Sequence, residues 1–329
     1  MRKKLVAITR CVGSVAVFAA LLIASASAAA QTPGHFRGVV TAHTAAGRAL
    51  RAQLHGAGAA NSILGTATNM TYNGGPVMHT DANYSIYWEP SGYSTPASYK
   101  SIIDGYFTNV AGANGATSND YSVATQYPDG SGAFSYGASF GWRILDTNPY
   151  PASGCSSGTG PCITDAQLQT ELNNVISSHG LPRGTGNLYF VYFPSGVTTC
   201  FDSTGSQCSG NVYCAYHSSV GSGSSTTLYA NMPYDGVSGC ESGQYPNGDV
   251  AADSELNVTS HENIEAITDP LGNAWYDLTG QEIGDKCNFN FGSPLGGAAG
   301  SEYNESISSG HYWLQQEWSN AASGCVQRS

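Results

Sequence analysis

Residues 260–270 read Ser260-His261-Glu262-Asn263-Ile264-Glu265-Ala266-Ile267-Thr268-Asp269-Pro270. His261 and Glu265 stand four positions apart, so on a helix they share one face. One imidazole and one carboxylate then point at the same spot, as in a metal clamp. The pattern is the H-E-x-x-H signature of zinc peptidases with a glutamate in place of the second histidine. In that arrangement His261 and Glu265 are metal ligands, and Glu262 is the general base that takes a proton from a metal-bound water.

The flanking residues support a helix. Asp253 or Ser254 can cap it, and Glu255 places a negative charge in the first turn, where the helix dipole favours one. Leu256, Ile264 and Ile267 give an apolar face, and Pro270 ends the helix. A third ligand must return from elsewhere. Downstream, Trp275-Tyr276-Asp277-Leu278-Thr279-Gly280-Gln281-Glu282-Ile283-Gly284-Asp285-Lys286-Cys287 offers Glu282 first and Asp285 second, with Asp277 behind them. His217 and His311 are outside candidates. A histidine and two glutamates within five residues also suit a solvated helix face. Against that reading, charged residues make up only 11% of this chain, so His261, Glu262, Glu265 and Asp269 form a local concentration.

The start of the chain reads as an export signal. Arg2, Lys3, Lys4 and Arg10 precede a mostly apolar run from Val12 to Ala24, and Ala26-Ser27-Ala28 or Ala28-Ala29-Ala30 offers small-residue cleavage. Residues 1–30 are therefore assigned to a signal peptide, leaving a secreted, extracellular protein of about 300 residues. Residues 31–65 carry Arg37, Arg48, Arg51, His35, His43 and His55 amid Ala and Gly, and are expected to be a flexible leader or pro-segment. Residues 66–329 are expected to form a single domain.

Of the 12 Lys and Arg residues, four lie in the signal, leaving 8 against 23 acids and a balance of −15. Such a surface repels nucleic acid and anionic membrane. Partners are accordingly sought among extracellular proteins, peptides and cell-wall glycans. After Cys11 leaves with the signal, eight cysteines remain, an even number in an exported chain. Local spacing favours Cys155–Cys162 and Cys200–Cys208, which leaves Cys214–Cys240 and Cys287–Cys325. No C-x-x-C pair supports a thiolate metal cluster.

Asn83 to Trp88 reads as a strand, Ser98 to Val110 as a helix, and Tyr121 to Gln126 as a short strand. Thr164 or Asp165 caps a second helix that Gly180 and Pro182 stop. Leu188 to Phe193, a continuous aromatic and β-branched run, should be a central strand, with Leu228 to Met232 as its neighbour. The fold class expected is α/β or α+β: a mixed sheet flanked by helices, a central metal-motif helix, and an irregular, disulfide-stapled C-terminal lobe. The motif adds the expectation of a zincin-like metallopeptidase fold.

His261-Glu262-x-x-Glu265, then Thr268-Asp269-Pro270-Leu271-x-Asn273-Ala274-Trp275-Tyr276, then Glu282-Ile283-Gly284-Asp285-x-Cys287, resembles the EXORDIUM-like, phosphate-induced protein family. The closing Leu314-Gln315-Gln316-Glu317-Trp318-Ser319, Cys325, the Gly74-Gly75-Pro76 opening and the Cys214-x-x-x-His217 segment add to the resemblance. It is strong over about residues 250–325, looser from 70 to 250, and absent from 31–65. Asp269 stands where plant members usually have Asn, and the glycine-rich run at Gly292 to Gly300 is short. The resemblance implies an exported wall- or matrix-associated protein, with plant members linked to growth responses.

The leading expectation is an exported zinc-dependent hydrolase, a metallopeptidase. Its metal is held by His261, Glu265 and Glu282 or Asp285, and its water is activated by Glu262. Two readings compete with it. One is a non-catalytic glycan-binding or matrix protein that uses Trp275, Tyr276, Trp313 and Trp318. The other is a structural calcium ion in the Asp277–Asp285 segment.

Overall fold

A computed structural model describes residues 37–56, 68–156 and 160–329. The signal assigned to residues 1–30 and the outer parts of the 31–65 segment lie outside the described residues. In chain order the first half comprises β1 (Arg37–Thr41), α1 (Ala45–His55), β2 (Thr71–Tyr72), β3 (Asp81–Trp88), α2 (Ala97–Gly112), α3 (Tyr121–Ala124), β4 (Ala138–Asp146), β5 (Cys162–Thr164) and α4 (Asp165–His179). The second half comprises β6 (Asn187–Tyr192), β7 (Thr198–Cys200), β8 (Tyr213–Val220), β9 (Thr227–Met232), α5 (Val250–Thr268), β10 (Trp275–Tyr276), β11 (Glu305–Ile307), β12 (Gly310–Tyr312), β13 (Glu317–Ser319) and β14 (Gly324–Val326).

Six strands form a mixed sheet in the order β1-β8-β9-β6-β3-β4. The β9-β6-β3-β4 part is parallel, whereas β1 and β8 are antiparallel to their neighbours. The expected central strand is β6, between β3 and β9. Its side chains alternate between two cores, because successive residues of a strand face opposite sides. Leu188, Phe190 and Tyr192 join the core beneath α2 and α5, while Tyr189 and Val191 join the core beneath α4 and α1. Burial on both faces explains why the run is apolar throughout rather than alternating. The same alternation turns His217 of β8 to the α5 side, with Ala215, while Tyr216 faces the other core.

Four disulfides join Cys155–Cys162, Cys200–Cys208, Cys214–Cys240 and Cys287–Cys325. The last ties the irregular C-terminal lobe, with its two small hairpins β11-β12 and β13-β14, to the segment after β10. Of the two expected caps of α4, Thr164 rather than Asp165 takes the position and forms a capping box, its side chain and that of Gln167 bonding reciprocally, and the helix ends at left-handed Gly180.

Three local expectations are corrected. Tyr121 to Gln126 is not a strand: α3 forms there, because the Asp120 carboxylate accepts from the Tyr121 N–H and the Ser122 hydroxyl donates to the Asn119 carbonyl. The motif helix starts one turn before Asp253, with Asp249 as the cap that accepts from the Ala252 N–H. Asp253 instead lies inside the first turn and accepts from Asn247. Finally, within residues 31–65, expected as a flexible leader or pro-segment, residues 37–56 are not a flexible leader but part of the fold. Strand β1 pairs with β8 at the sheet edge, and α1 lays Leu50 into the second core, because Val39, Val40 and Leu50 are apolar enough to be buried there.

Candidate metal centre

Helix α5 is buried on every side: each residue from Ala251 to Thr268 is buried, including Glu255, His261, Glu262 and Glu265 at 0% exposure. The solvated-face reading of the motif is thereby excluded. The apolar residues of α5 pack under the sheet, and its polar residues must find partners inside the protein.

The i,i+4 relation holds. His261 Nε2 lies 3.0 Å from Glu265 Oε1, and the Gln315 side chain also stands against the ring. Ligands on a shared ion adopt this kind of contact: at metal–ligand distances near 2.1 Å, tetrahedral neighbours stand about 3.4 Å apart.

The downstream loop brings its carboxylates to the same place. Asp277 Oδ1 accepts from the Thr279 and Gln281 N–H groups at 2.8 and 3.1 Å, closing a turn, and Lys286 Nζ binds Asp277 Oδ2 at 2.9 Å. The turn aims Glu282 and Asp285 at α5. The Asp285 N–H donates to Glu265 Oε1 at 2.7 Å, and Asp285 Oδ1 lies 4.0 Å from His261 Nε2. The approach depends on Gly284, where a Cβ would come within 3.0 Å of His261 and Glu265. The C-terminal lobe holds the loop from behind. Gln315 donates from its side chain to the Gly284 carbonyl and from its backbone to Asn257 of α5, and the Trp318 N–H bonds the Ile283 carbonyl.

His217, an outside candidate in the sequence, is the second histidine of the cluster. Its Nδ1 shares a hydrogen bond of 3.0 Å with Glu262 Oε2 and lies 3.8 Å from Glu265 Oε2, while its Nε2 lies 4.0 Å from Glu282 Oε2. Two groups of three result: His261, Glu265 and Asp285, and His217, Glu265 and Glu282. Within each, the ligand atoms lie within 4.8 Å of one another. All four residues expected as ligands are thus brought together, with Glu262 beside them. His311 is not; it stacks on Tyr303 at the surface.

Electrostatics mark the cluster as short of positive charge. Burial pushes the Glu265 carboxyl up to about 7, with Asp285 adding to the shift and His261 opposing it. Glu262 and Glu282 are raised well above the usual carboxylate range, by burial first and then by their acidic neighbours. Burial and the neighbouring His261 lower His217 to about 4, which leaves it neutral, the form that binds a metal. For His261, burial alone would lower the value, but Glu265 and then Asp285 outweigh it. An unpaired ionised carboxylate in a protein interior costs of order several kcal/mol. A dication would remove that cost and reverse these shifts. Glu265 Oε2 has no hydrogen-bond partner, and Glu282 has another carboxyl, Asp269, against it, so the donor set fits such an ion.

Sequence reasoning missed what covers the site. Gly38 of β1 sits in an irregularity of the β1–β8 pairing at φ +57°, where a Cβ would overlap the His217 ring and Glu265 Oε2. From α1, Arg51 donates to the Asp285 carbonyl at 2.8 Å and His55 Nε2 lies 3.5 Å from Asp285 Oδ2. A signal was present: three of the eight basic residues beyond the signal fall between 37 and 51, and one of them, Arg51, reaches the acidic site.

Among known proteins, the chain is 27% identical over 252 residues to Protein EXORDIUM-like 5 of Arabidopsis thaliana, covering 70% of this chain and 66% of that protein. It is 35% identical over 94 residues to Protein EXORDIUM-like 3 of the same plant, covering 25% of this chain and 28% of that protein. The chain is similar to EXORDIUM-like proteins. It spans under two thirds of either relative. No family model matches, and no solved structure matches. Several of the residues that carry the EXORDIUM-like resemblance have structural work. Asp269 Oδ1 accepts from the Asn273 and Ala274 N–H groups, both at 2.6 Å, which fixes the turn after α5, and Gln315 joins α5 to the ligand loop.

Proposed function

We propose that the chain is an exported member of the EXORDIUM-like family and a metalloprotein, with zinc as the first candidate ion. The observation that supports this most is the convergence of two histidines and three carboxylates, all buried, with the unpartnered Glu265 Oε2 among them. Imidazole with carboxylate suits zinc and neighbouring transition ions, whereas calcium prefers oxygen alone. Calcium at the Asp277 turn is disfavoured further, because Lys286 Nζ already lies 2.9 Å from Asp277 Oδ2.

The chemistry proposed for the centre is hydrolysis, and the H-E-x-x-E helix suggests a metallopeptidase. A bound zinc would acidify a water. Glu262, with Oε1 unpartnered and Oε2 on His217, would take the proton. As folded, β1 and α1 lie over these groups, Gly38 against His217 and Glu265, and Arg51 and His55 against Asp285. Hydrolysis therefore requires residues 37–56 to withdraw, which gives the pro-segment reading a physical form. The zincin-like fold expected from the motif finds no support among solved structures.

The glycan-binding reading is weaker. Trp313 and Trp318 are buried at 9% and 4% exposure, with Trp318 under Lys286. Of the four aromatics expected to face a sugar, Trp275 and Tyr276 are partly exposed, on the ribbon with β2.

Elemental analysis of the purified secreted protein tests the metal. The Glu262→Gln variant tests the base: peptide hydrolysis after limited proteolysis of the N-terminal segment should fall about 10²–10⁴-fold while metal content is retained. Absence of stoichiometric metal, or full activity in Glu262→Gln, refutes the corresponding half.

A further inference from the structure

We propose that the centre is dinuclear, with Glu265 as a bridge between two divalent transition-metal ions. The proposal rests on the metal-centre reading above and adds to it. One ion is held by His261 and Asp285, the other by His217 and Glu282.

The geometry separates two sites rather than enlarging one. Glu265 uses opposite oxygens. Oε1 faces His261 Nε2 at 3.0 Å and accepts from the Asp285 N–H, whereas Oε2 lies 3.8 Å from His217 Nδ1. Each half therefore has one imidazole, one carboxylate of its own and one oxygen of the shared carboxylate. Three elements supply the two halves. His261 and Glu265 come from α5, Glu282 and Asp285 from the loop after β10, and His217 from β8, across the sheet edge. Paired ions about 3.5–4 Å apart are the usual spacing of such carboxylate-bridged centres.

Buried polar groups meet in both halves. In the first, His261 has the Glu265 and Gln315 side chains against its ring; in the second, Glu265 Oε2 lacks a hydrogen bond and Glu282 has another carboxyl, Asp269, against it. All these residues are at 0% exposure, so water outside the protein does not satisfy them. Glu262 holds Nδ1 of His217, so the nitrogen left to the second ion is Nε2, 4.0 Å from Glu282 Oε2, and the Asp269 backbone also touches the ring. A carboxylate on the second nitrogen of a ligating histidine is the common outer-shell arrangement.

Charge points the same way. The ligand set contains three carboxylates, with Glu262 and Asp269 directly behind it, all buried. Arg51 is the permanent cation that reaches the cluster, at the Asp285 carbonyl, while Lys286 is committed to Asp277. A single dication leaves the group strongly negative in a water-free interior. Two dications bring it near neutrality.

The test is metal stoichiometry of the full secreted chain produced in zinc-supplemented and manganese-supplemented medium. Two equivalents per chain are expected, and the manganese form should give the exchange-coupled electron paramagnetic resonance signal of a close pair. Glu282→Gln and Asp285→Asn should each fall to one equivalent with the coupling lost, and Glu265→Gln should lower both. One equivalent in the unaltered chain at saturating metal, with an isolated-ion spectrum, overturns the dinuclear proposal and leaves a mononuclear centre standing. No bound metal overturns both. The spectrum of the unaltered chain decides the matter even if a variant fails to fold.

Discussion

Gly38 lies so close to His217 that a single added methyl at the glycine would overlap the imidazole. The second residue of β1 therefore forms the lid of the cluster, and the first strand of the sheet and the candidate centre are coupled mechanically. The coupling is local and steric, since Gly38 also needs φ +57°, a conformation that L side chains disfavour.

Gly38→Ala should lift β1 from β8. Overpacking of this kind costs about 1–3 kcal/mol, so the urea midpoint should drop. Metal loss to a chelator should quicken, because the strand that covers His217 and Glu265 is displaced. Unchanged midpoint and unchanged chelation rate would show that β1 does not seal the site.

Metal removal should destabilise the whole domain rather than one loop. The ligands come from β8, α5 and the loop after β10, so an ion that binds only the folded state stabilises all three together. At a metal concentration about 1,000 times Kd the gain is about 4 kcal/mol. Thermal unfolding with excess zinc against excess chelator should show a shift of the single main transition. Coincident transitions would argue against a metal linked to folding.

Lys286→Met should strip the ligand loop of its anchor. The Lys286–Asp277 pair is fully buried at 2.9 Å, and removing one partner of a buried pair leaves the other uncompensated, at about 3–5 kcal/mol. Reduced stability together with reduced metal content is expected. Pairing this change with Asp277→Asn should recover part of the loss, which denaturant titration of the double variant can read.

A second buried acid pair predicts a pH dependence away from the metal ligands. Glu255 accepts from the Asp235 N–H at 3.2 Å and lies near Tyr99, with Asp235 1% exposed. Burial, then its hydrogen bonds in opposition, leaves Glu255 raised from 4.5 to about 8, and Asp235 is raised well above its usual value by burial and by Glu255. Between those limits the unfolded chain has released the Glu255 proton and the folded chain keeps it, so stability falls as pH rises from about 4.5 to 8. Glu255→Gln should flatten part of that slope in urea titrations run from pH 5 to 8.5. An unchanged slope would rule out Glu255 as a contributor.

Much of this was legible in the sequence because it is local. The aromatic and β-branched run at 188–193 marks a strand buried on both faces. Short cysteine spacings matched the local disulfides, and a four-residue interval placed His261 and Glu265 together. The helix's first residue and α3 were misread for equally local reasons: capping by Asp249 and Asp120 outweighed the pattern of apolar residues.

The sequence by itself determined the candidate ligand types, the H-E-x-x-E helix and the carboxylate-bearing loop that follows it. Helix period and turn chemistry act over a few residues, and those are written in order along the chain. Only the tertiary structure decided that the motif helix is buried all round, that His217 completes the cluster, and that Gly38 and Arg51 close it. His217 meets Glu262 across 45 positions and Arg51 meets Asp285 across 234. Such contacts follow from sheet order and from which face of β8 turns toward α5, properties that no periodicity in the sequence records.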